Sequence, residues 1–214
     1  MTIRAVLFDL DGTLIDSLED IAAAANFAMR GLGMAEHDVE GYRPMVGDGA
    51  DVLIERALPD DAQHLAGEGL RLFKSYYKDH SRDHTVLYEG VAGLLDALVE
   101  RGVKIAVLSN KPHEATVQIV EWLMGGYEWS AVAGHKAELP KKPDPTSALL
   151  MAKGMGVEPN ECLFVGDSSV DMKTAVGAGM KGVGVAWGWR SREELEGAGS
   201  WKMIETADGL LELL

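Results

Sequence analysis

Cysteine is nearly absent: Cys162 is the single one in 214 residues, which excludes an intrachain disulfide. It lies in the apolar run Glu161-Cys162-Leu163-Phe164-Val165, where buried packing is expected rather than nucleophilic work. Long apolar runs are missing too, so no bilayer-spanning segment is expected. The first residues lack a basic stretch leading into an apolar one, so the expectation is no secretory signal and a cytoplasmic location. Positive charge is short. Twenty Lys and Arg stand against 34 Asp and Glu, for a formal net charge of -14. That balance excludes sequence-independent nucleic-acid binding, which needs a basic face. It does not exclude an anionic substrate, because a cation and a few lysines can dominate locally. The six histidines are scattered, and only His80 and His84 stand one helical turn apart. Without a cysteine or an HExxH context, no zinc site is expected there. Internal repeats and low-complexity tracts are absent. The length suits one large domain or a core with a modest insertion.

What is present is an alternation of apolar runs and helix-patterned stretches. Strands are expected over 3–9, 103–109, 131–134, 162–166 and 182–186. Helices are expected over 90–101, 112–125, 144–156, 169–179, 191–197 and 206–214. Strands alternating with helices imply a Rossmann-like parallel sheet with helices on both faces. In such sheets ligands bind beyond the carboxyl ends of the strands. Residues 16–83 break the alternation, reading as helices over 17–32, 36–41, 48–57 and 61–80. The expected organisation is therefore an α/β core of residues 1–15 and 84–214, interrupted after its first strand by an all-helical insertion. Both ends of the insertion attach beside the end of that strand, which favours a lid over a site there.

The first strand runs into Asp9-Leu10-Asp11-Gly12-Thr13. Two carboxylates so close raise each other's pKa unless something positive neutralises them. A hard divalent cation with oxygen ligands is the usual neutraliser, so the pair points to a metal, an anionic substrate or both. Three more features fall at strand ends. Ser109-Asn110-Lys111-Pro112 offers a hydroxyl and N–H groups where a helix begins. Lys141-Lys142-Pro143-Asp144-Pro145 offers lysines on a stiff backbone. Gly166-Asp167-Ser168-Ser169-Val170-Asp171 offers a second carboxylate pair. Each alone has an ordinary reading as a cap or a solvated charge. Together they converge on one sheet edge. There Asp9, Asp11 and Asp167 can bind magnesium, Ser109 and Lys142 can hold phosphate oxygens, and one aspartate can attack phosphorus.

The segments DLDGTLIDS, VLSNKP, KKPDP and VGDSSVD resemble, in order, the four motifs of the haloacid dehalogenase superfamily. Together they cover nearly the whole chain. The helical insertion resembles the type-1 cap of the phosphoglycolate phosphatase-like branch. Its Gly47-Asp48-Gly49 is similar to that branch's substrate-facing cap loop, and Gly188 to Leu195 is similar to its tail. The resemblance implies that Asp9 is a nucleophile forming an aspartyl-phosphate. It implies that Asp11 is the acid and base and lends its main-chain carbonyl to Mg2+. Ser109 and Asn110 would bind the phosphoryl group, and Lys142 would neutralise charge on it. Asp167 would bind the metal, with Asp171 as a direct or indirect ligand.

Arg43 and Arg56 of the insertion are candidates for a substrate carboxylate. Asp16 and Ser17 are expected to cap a helix, and Trp187 and Trp189 to pack.

The expected function is a magnesium-dependent phosphatase acting on a small phosphomonoester, with 2-phosphoglycolate first. A sugar-phosphate phosphatase, a pyrophosphatase and a β-phosphoglucomutase-like enzyme are the neighbouring alternatives. A dehalogenase is disfavoured, since halide displacement has no use for Asp11 or the metal aspartates. A phospho-receiver module is the alternative from another class, and the long insertion after the first strand counts against it. A silent binding protein of the same fold is disfavoured by the full set of chemical residues. The expected partner is the small substrate, with no nucleic acid and no membrane, and with a monomer or a homodimer both open.

Overall fold

The computed structural model describes residues 2–214. The chain divides into two compact units, Met1–Ile15 with Leu87–Leu214, and Asp16–Val86. Elements are numbered along the chain, strands from β1 and α-helices from α1.

The first unit is built on a parallel sheet. Its strands are β1 (Ala5–Phe8), β4 (Lys104–Pro112), β5 (Ala131–His135), β6 (Cys162–Gly166), β7 (Lys181–Val185) and β8 (Lys202–Ile204). Their order across the sheet is β5-β4-β1-β6-β7-β8. All of these pairings are parallel. The central strands are buried on both faces, as parallel sheets covered by helices must be. Successive side chains alternate between the faces. Val6, Phe8, Val107, Leu163 and Val165 join α5 (Val91–Glu100) and α6 (His113–Met124) in one core layer. Ala5, Leu7, Ala106, Leu108 and Phe164 join α7 (Thr146–Met155) and α8 (Ser169–Ala178) in the other. A short α9 (Arg192–Gly197) and a 3-10 helix at Ala207–Leu213 complete the unit.

Register decides where the chemistry lies. Phe8 pairs with Val107 on one side and with Val165 on the other. One or two residues beyond these pairings come Asp9, Ser109 and Asp167 on the same edge, Ser109 in the stretch of β4 where its register with β5 shifts.

Two expectations are corrected. Lys202–Ile204 adds an edge strand where only a link between helices was expected. Three residues are too few to show a period of two. The final helical stretch is 3-10 rather than α.

The second unit holds α1 (Leu18–Gly31), α2 (Val39–Tyr42), α3 (Ala50–Ala57) and α4 (Ala66–His80). The expected helix over 61–80 is split, with a 3-10 turn at Asp60–Leu65 before α4. Phe27 of α1 stacks on Tyr76 of α4 with ring centroids 4.7 Å apart. Two-residue strands β2 (Ile15–Asp16) and β3 (Val86–Leu87) pair where the chain passes from one unit to the other and back. They lie at the ends of the stretch read as purely helical.

Asp20, buried in the first turn of α1, fastens the returning chain. It accepts from the main-chain N–H of His84 at 2.9 Å and of Thr85 at 2.9 Å, and from the Thr85 hydroxyl at 2.7 Å. Removing it would orphan buried donors, each costing about 1–3 kcal/mol. Asp20→Ala is expected to lower stability by about 3 kcal/mol in urea unfolding. Asp83→Ala, which breaks only the exposed pair with His80, should cost under about 0.5 kcal/mol. Equal costs would contradict this assignment.

Candidate active site

Asp9 follows β1 directly and is 8% exposed. Its Oδ1 accepts from the Leu10 N–H at 2.7 Å and lies 2.9 Å from Lys142 Nζ. Lys142 comes from the loop between β5 and α7 and is also buried. Its ammonium donates to Asp171 Oδ1 at 2.6 Å, so one positive charge sits between two carboxylates. The Asn110 side chain holds the Lys142 backbone at both ends. Its Nδ2 donates to the Lys142 carbonyl at 3.1 Å, and its Oδ1 accepts from the Lys142 N–H at 2.9 Å. The resemblance implied Asn110 as a phosphoryl ligand; its side-chain amide is engaged in placing Lys142. Ser109 Oγ accepts from the Lys111 N–H at 3.1 Å, an ordinary turn at the strand end.

Asp171 opens α8 as the third residue of a capping box. Its Oδ2 accepts from Ser168 Oγ at 2.6 Å and from the Ser168 N–H at 3.1 Å. Both of its oxygens are thus engaged by protein. Asp167 Oδ2 accepts from the Trp189 N–H at 2.8 Å. Gly12, at φ 81°, and Gly188 press against Asp167, and a Cβ on either would collide with it. Glycine is required at both, in addition to the left-handed backbone at Gly12.

Ligand oxygens of Asp9, Asp167 and Asp171 all lie within 4.8 Å of one another, a buried set able to hold a metal ion. Three carboxylates against the Lys142 ammonium leave two negative charges, which a divalent cation balances. The strain of that excess is visible in the proton affinities. Burial, then Asp171, push Asp9 up to about 7 against the pull of Lys142. Burial, then Asp171 and Asp9, hold Asp167 well above the usual carboxylate range, opposed by the Trp189 N–H. Burial alone would lower Lys142, but Asp171 and Asp9 outweigh it and hold it above the usual lysine range.

Asp11 lies 2.8 Å from Lys111 Nζ, a second ion pair on this edge. Sequence reasoning gave no role to Lys111 or Ser168, and it expected Trp189 only to pack. Lys111 followed Ser109-Asn110 in plain view, but nothing local marks a lysine that turns inward. The Trp189 contact is made by main chain, to which residue type is no guide.

The remaining candidates lie in the second unit or serve packing. Arg43 pairs with Glu40, through Nε at 2.7 Å and Nη2 at 2.9 Å. Asp48 pairs with Arg56 at 2.7 Å. Gly47 and Gly49 have φ of 118° and 102°, and Gly49 caps α3. Asp16 accepts from the Leu18 N–H at 3.3 Å, whereas Ser17 makes no side-chain cap bond. His80 and His84 turn to Asp83 and Asp20, not to a common centre. Trp187 packs on the core and donates from Nε1 to the Thr13 carbonyl at 3.1 Å. Burial pushes the Cys162 thiol up to about 11, fitting an inert packing role. No helix among the described residues is long and apolar enough to cross a membrane.

The profile of the haloacid dehalogenase-like hydrolases matches residues 6–185. This chain belongs to that family. It is 36% identical over 214 residues to phosphoglycolate phosphatase of Pseudomonas putida KT2440, covering 97% of this chain and 78% of the relative. It is also 36% identical to phosphoglycolate phosphatase of Escherichia coli K12, covering 91% and 85%. A crystal structure from Lactobacillus delbrueckii subsp. bulgaricus, provisionally named a phosphoglycolate phosphatase, superposes with a TM-score of 0.94 at 32% identity. That match covers 100% of this chain and 98% of that one. Within the family the chain is a phosphatase, phosphoglycolate phosphatase-like in sequence over most of its length.

The raised Asp9 value fixes a sign. A carboxyl that ionises near 3.8 when unfolded and near 7 when folded stabilises the fold fully below about pH 4, and that stability is lost as pH rises through about 7. Protein in EDTA is therefore expected to lose Tm between about pH 4 and pH 7, and Asp9→Asn should reduce the slope. Magnesium should raise the wild-type Tm most at the upper end. Identical slopes for wild type and Asp9→Asn would contradict the assignment.

Proposed function

We propose that the chain is a magnesium-dependent phosphatase that hydrolyses a small phosphomonoester, 2-phosphoglycolate first, through an aspartyl-phosphate on Asp9. The observation that carries this reading is Lys142 Nζ, shared by Asp9 at 2.9 Å and Asp171 at 2.6 Å beside Asp167. A nucleophilic carboxylate must approach an anionic phosphoryl group, and it can do so only where fixed positive charge offsets the repulsion.

Asp9 attacks phosphorus through a carboxylate oxygen. The bond to the ester oxygen breaks opposite it, and Asp11 gives that oxygen a proton. The Asp11 carboxylate then takes a proton from water, whose oxygen attacks the same phosphorus. Inorganic phosphate leaves with the bonding pair to Asp9 returned to the carboxylate. Ser109 and Lys142 hold the phosphoryl oxygens, and Asn110 keeps Lys142 in place. When bound by Asp9, Asp167 and the Asp11 main-chain carbonyl, magnesium supplies further positive charge for the phosphoryl oxygens. Asp171, engaged by Lys142 and Ser168, braces the lysine. By resemblance alone, the helical unit serves as the substrate-selecting cap. The substrate rests on the printed names of the relatives.

Phosphate release from a panel of phosphomonoesters, with sugar phosphates and pyrophosphate included, tests the proposal. The expected result is release with magnesium, loss in EDTA, loss of at least about 10³-fold in kcat for Asp9→Asn, and 2-phosphoglycolate as the best substrate. No release from any member by folded protein would overturn it. A sugar phosphate preferred over 2-phosphoglycolate would overturn the substrate alone.

A further inference from the structure

Among the described residues, two lysines are buried, Lys142 and Lys111. Lys142 serves the nucleophile side of the reaction centre. Lys111 lies on the other side. Its Nζ is 2.8 Å from Asp11 Oδ1, with side chains 5% and 13% exposed. A desolvated ammonium is costly unless anions surround it, and it binds an arriving anion more strongly than a hydrated one does.

Its position is informative. In the proposed reaction Asp11 gives its proton to the ester oxygen, so its carboxyl group touches that oxygen. A cation in hydrogen-bond contact with Asp11 therefore lies beside the leaving group. In 2-phosphoglycolate a single methylene separates the ester oxygen from the carboxylate. That carboxylate falls in the neighbourhood of Lys111. An ammonium carries three N–H groups and can donate to Asp11 and to a second acceptor together. Lys111 is also fixed at the root, since its main-chain N–H donates to Ser109 Oγ at 3.1 Å, next to the phosphoryl site.

We infer that Lys111 is the residue that reads the leaving group, selecting phosphomonoesters whose alcohol carries a carboxylate one carbon from the ester oxygen. The inference rests on the phosphatase reading and adds a core-unit determinant of specificity. A neutral alcohol of the same size leaves the same phosphoryl contacts intact but brings no anion to Lys111. A site built around a charged contact discriminates against the analogue that lacks it.

The test compares kcat/KM for 2-phosphoglycolate and 2-hydroxyethyl phosphate, which replaces the carboxylate by a hydroxymethyl group. The enzymes are wild type, Lys111→Met and Lys111→Arg, each with magnesium and each checked for folding by circular dichroism. Any loss from releasing Asp11 falls on both substrates and cancels in their ratio. The expected result is a wild-type preference for 2-phosphoglycolate that drops by roughly ten- to a hundredfold in Lys111→Met, the scale of one charge-assisted hydrogen bond. Lys111→Arg should keep most of the preference. Should Lys111→Met fail to fold, Lys111→Gln provides the same comparison. An unchanged ratio would overturn the inference and make Lys111 a positioning residue for Asp11. Wild type hydrolysing both esters without preference would overturn it while the phosphatase reading stands. Hydrolysis of neither ester or of any other phosphomonoester would bring down the phosphatase reading and the inference with it.

Discussion

Lys142 places one positive charge between Asp9 and Asp171, two carboxylates that would otherwise repel in a volume with almost no water. Much else in the core unit can be understood as keeping that ammonium where it is. Asn110 grips its backbone from the end of β4. The capping box of α8 turns Asp171 toward it. The register of β1 against β4 and β6 brings Asp9 and Asp167 out beside it. A lysine alone would not hold the arrangement, since three carboxylates remain in excess by two charges. Burial first, and that excess second, raise the proton affinities of Asp9 and Asp167. A buried cluster that resists its own ionisation is the kind of set a divalent cation would relieve.

The backbone contributes as much as the side chains. Asp167 is seated by glycines at 12 and 188 and by the Trp189 N–H, contributions from two separate stretches of chain. Small residues there let two loops close on one carboxylate. The buried pair Lys111–Asp11 repeats the principle, again across strands distant in sequence. In the proposed reaction that pair stands on the leaving-group side and Lys142 on the side of the nucleophile.

The sheet, its helices and the aspartates were legible in the sequence because each leaves a local trace. Val103 to Ser109 is a run long enough to read as a strand, and Asp9-Leu10-Asp11-Gly12-Thr13 is a motif within five residues. What escaped has no local trace. Lys202–Ile204 is too short to show periodicity, yet it pairs with β7. Asn110 was expected beside the phosphoryl group by resemblance, and only the path of the 136–145 loop shows that its side chain also holds the Lys142 backbone. Lys111 was given no role of its own, and only the fold places its ammonium 2.8 Å from Asp11. Pairings across a hundred residues of chain are set by topology, and one sequence does not display them.

The central claim is that the Asp9 carboxylate itself takes the phosphoryl group. The direct measurement is a rapid acid quench of wild-type protein with magnesium and 32P-labelled 2-phosphoglycolate, followed by borohydride reduction and peptide mass analysis. The account predicts label on the protein during turnover and homoserine at position 9 after reduction, with neither in Asp9→Asn. Turnover with no labelled protein, or homoserine at another aspartate, would contradict it.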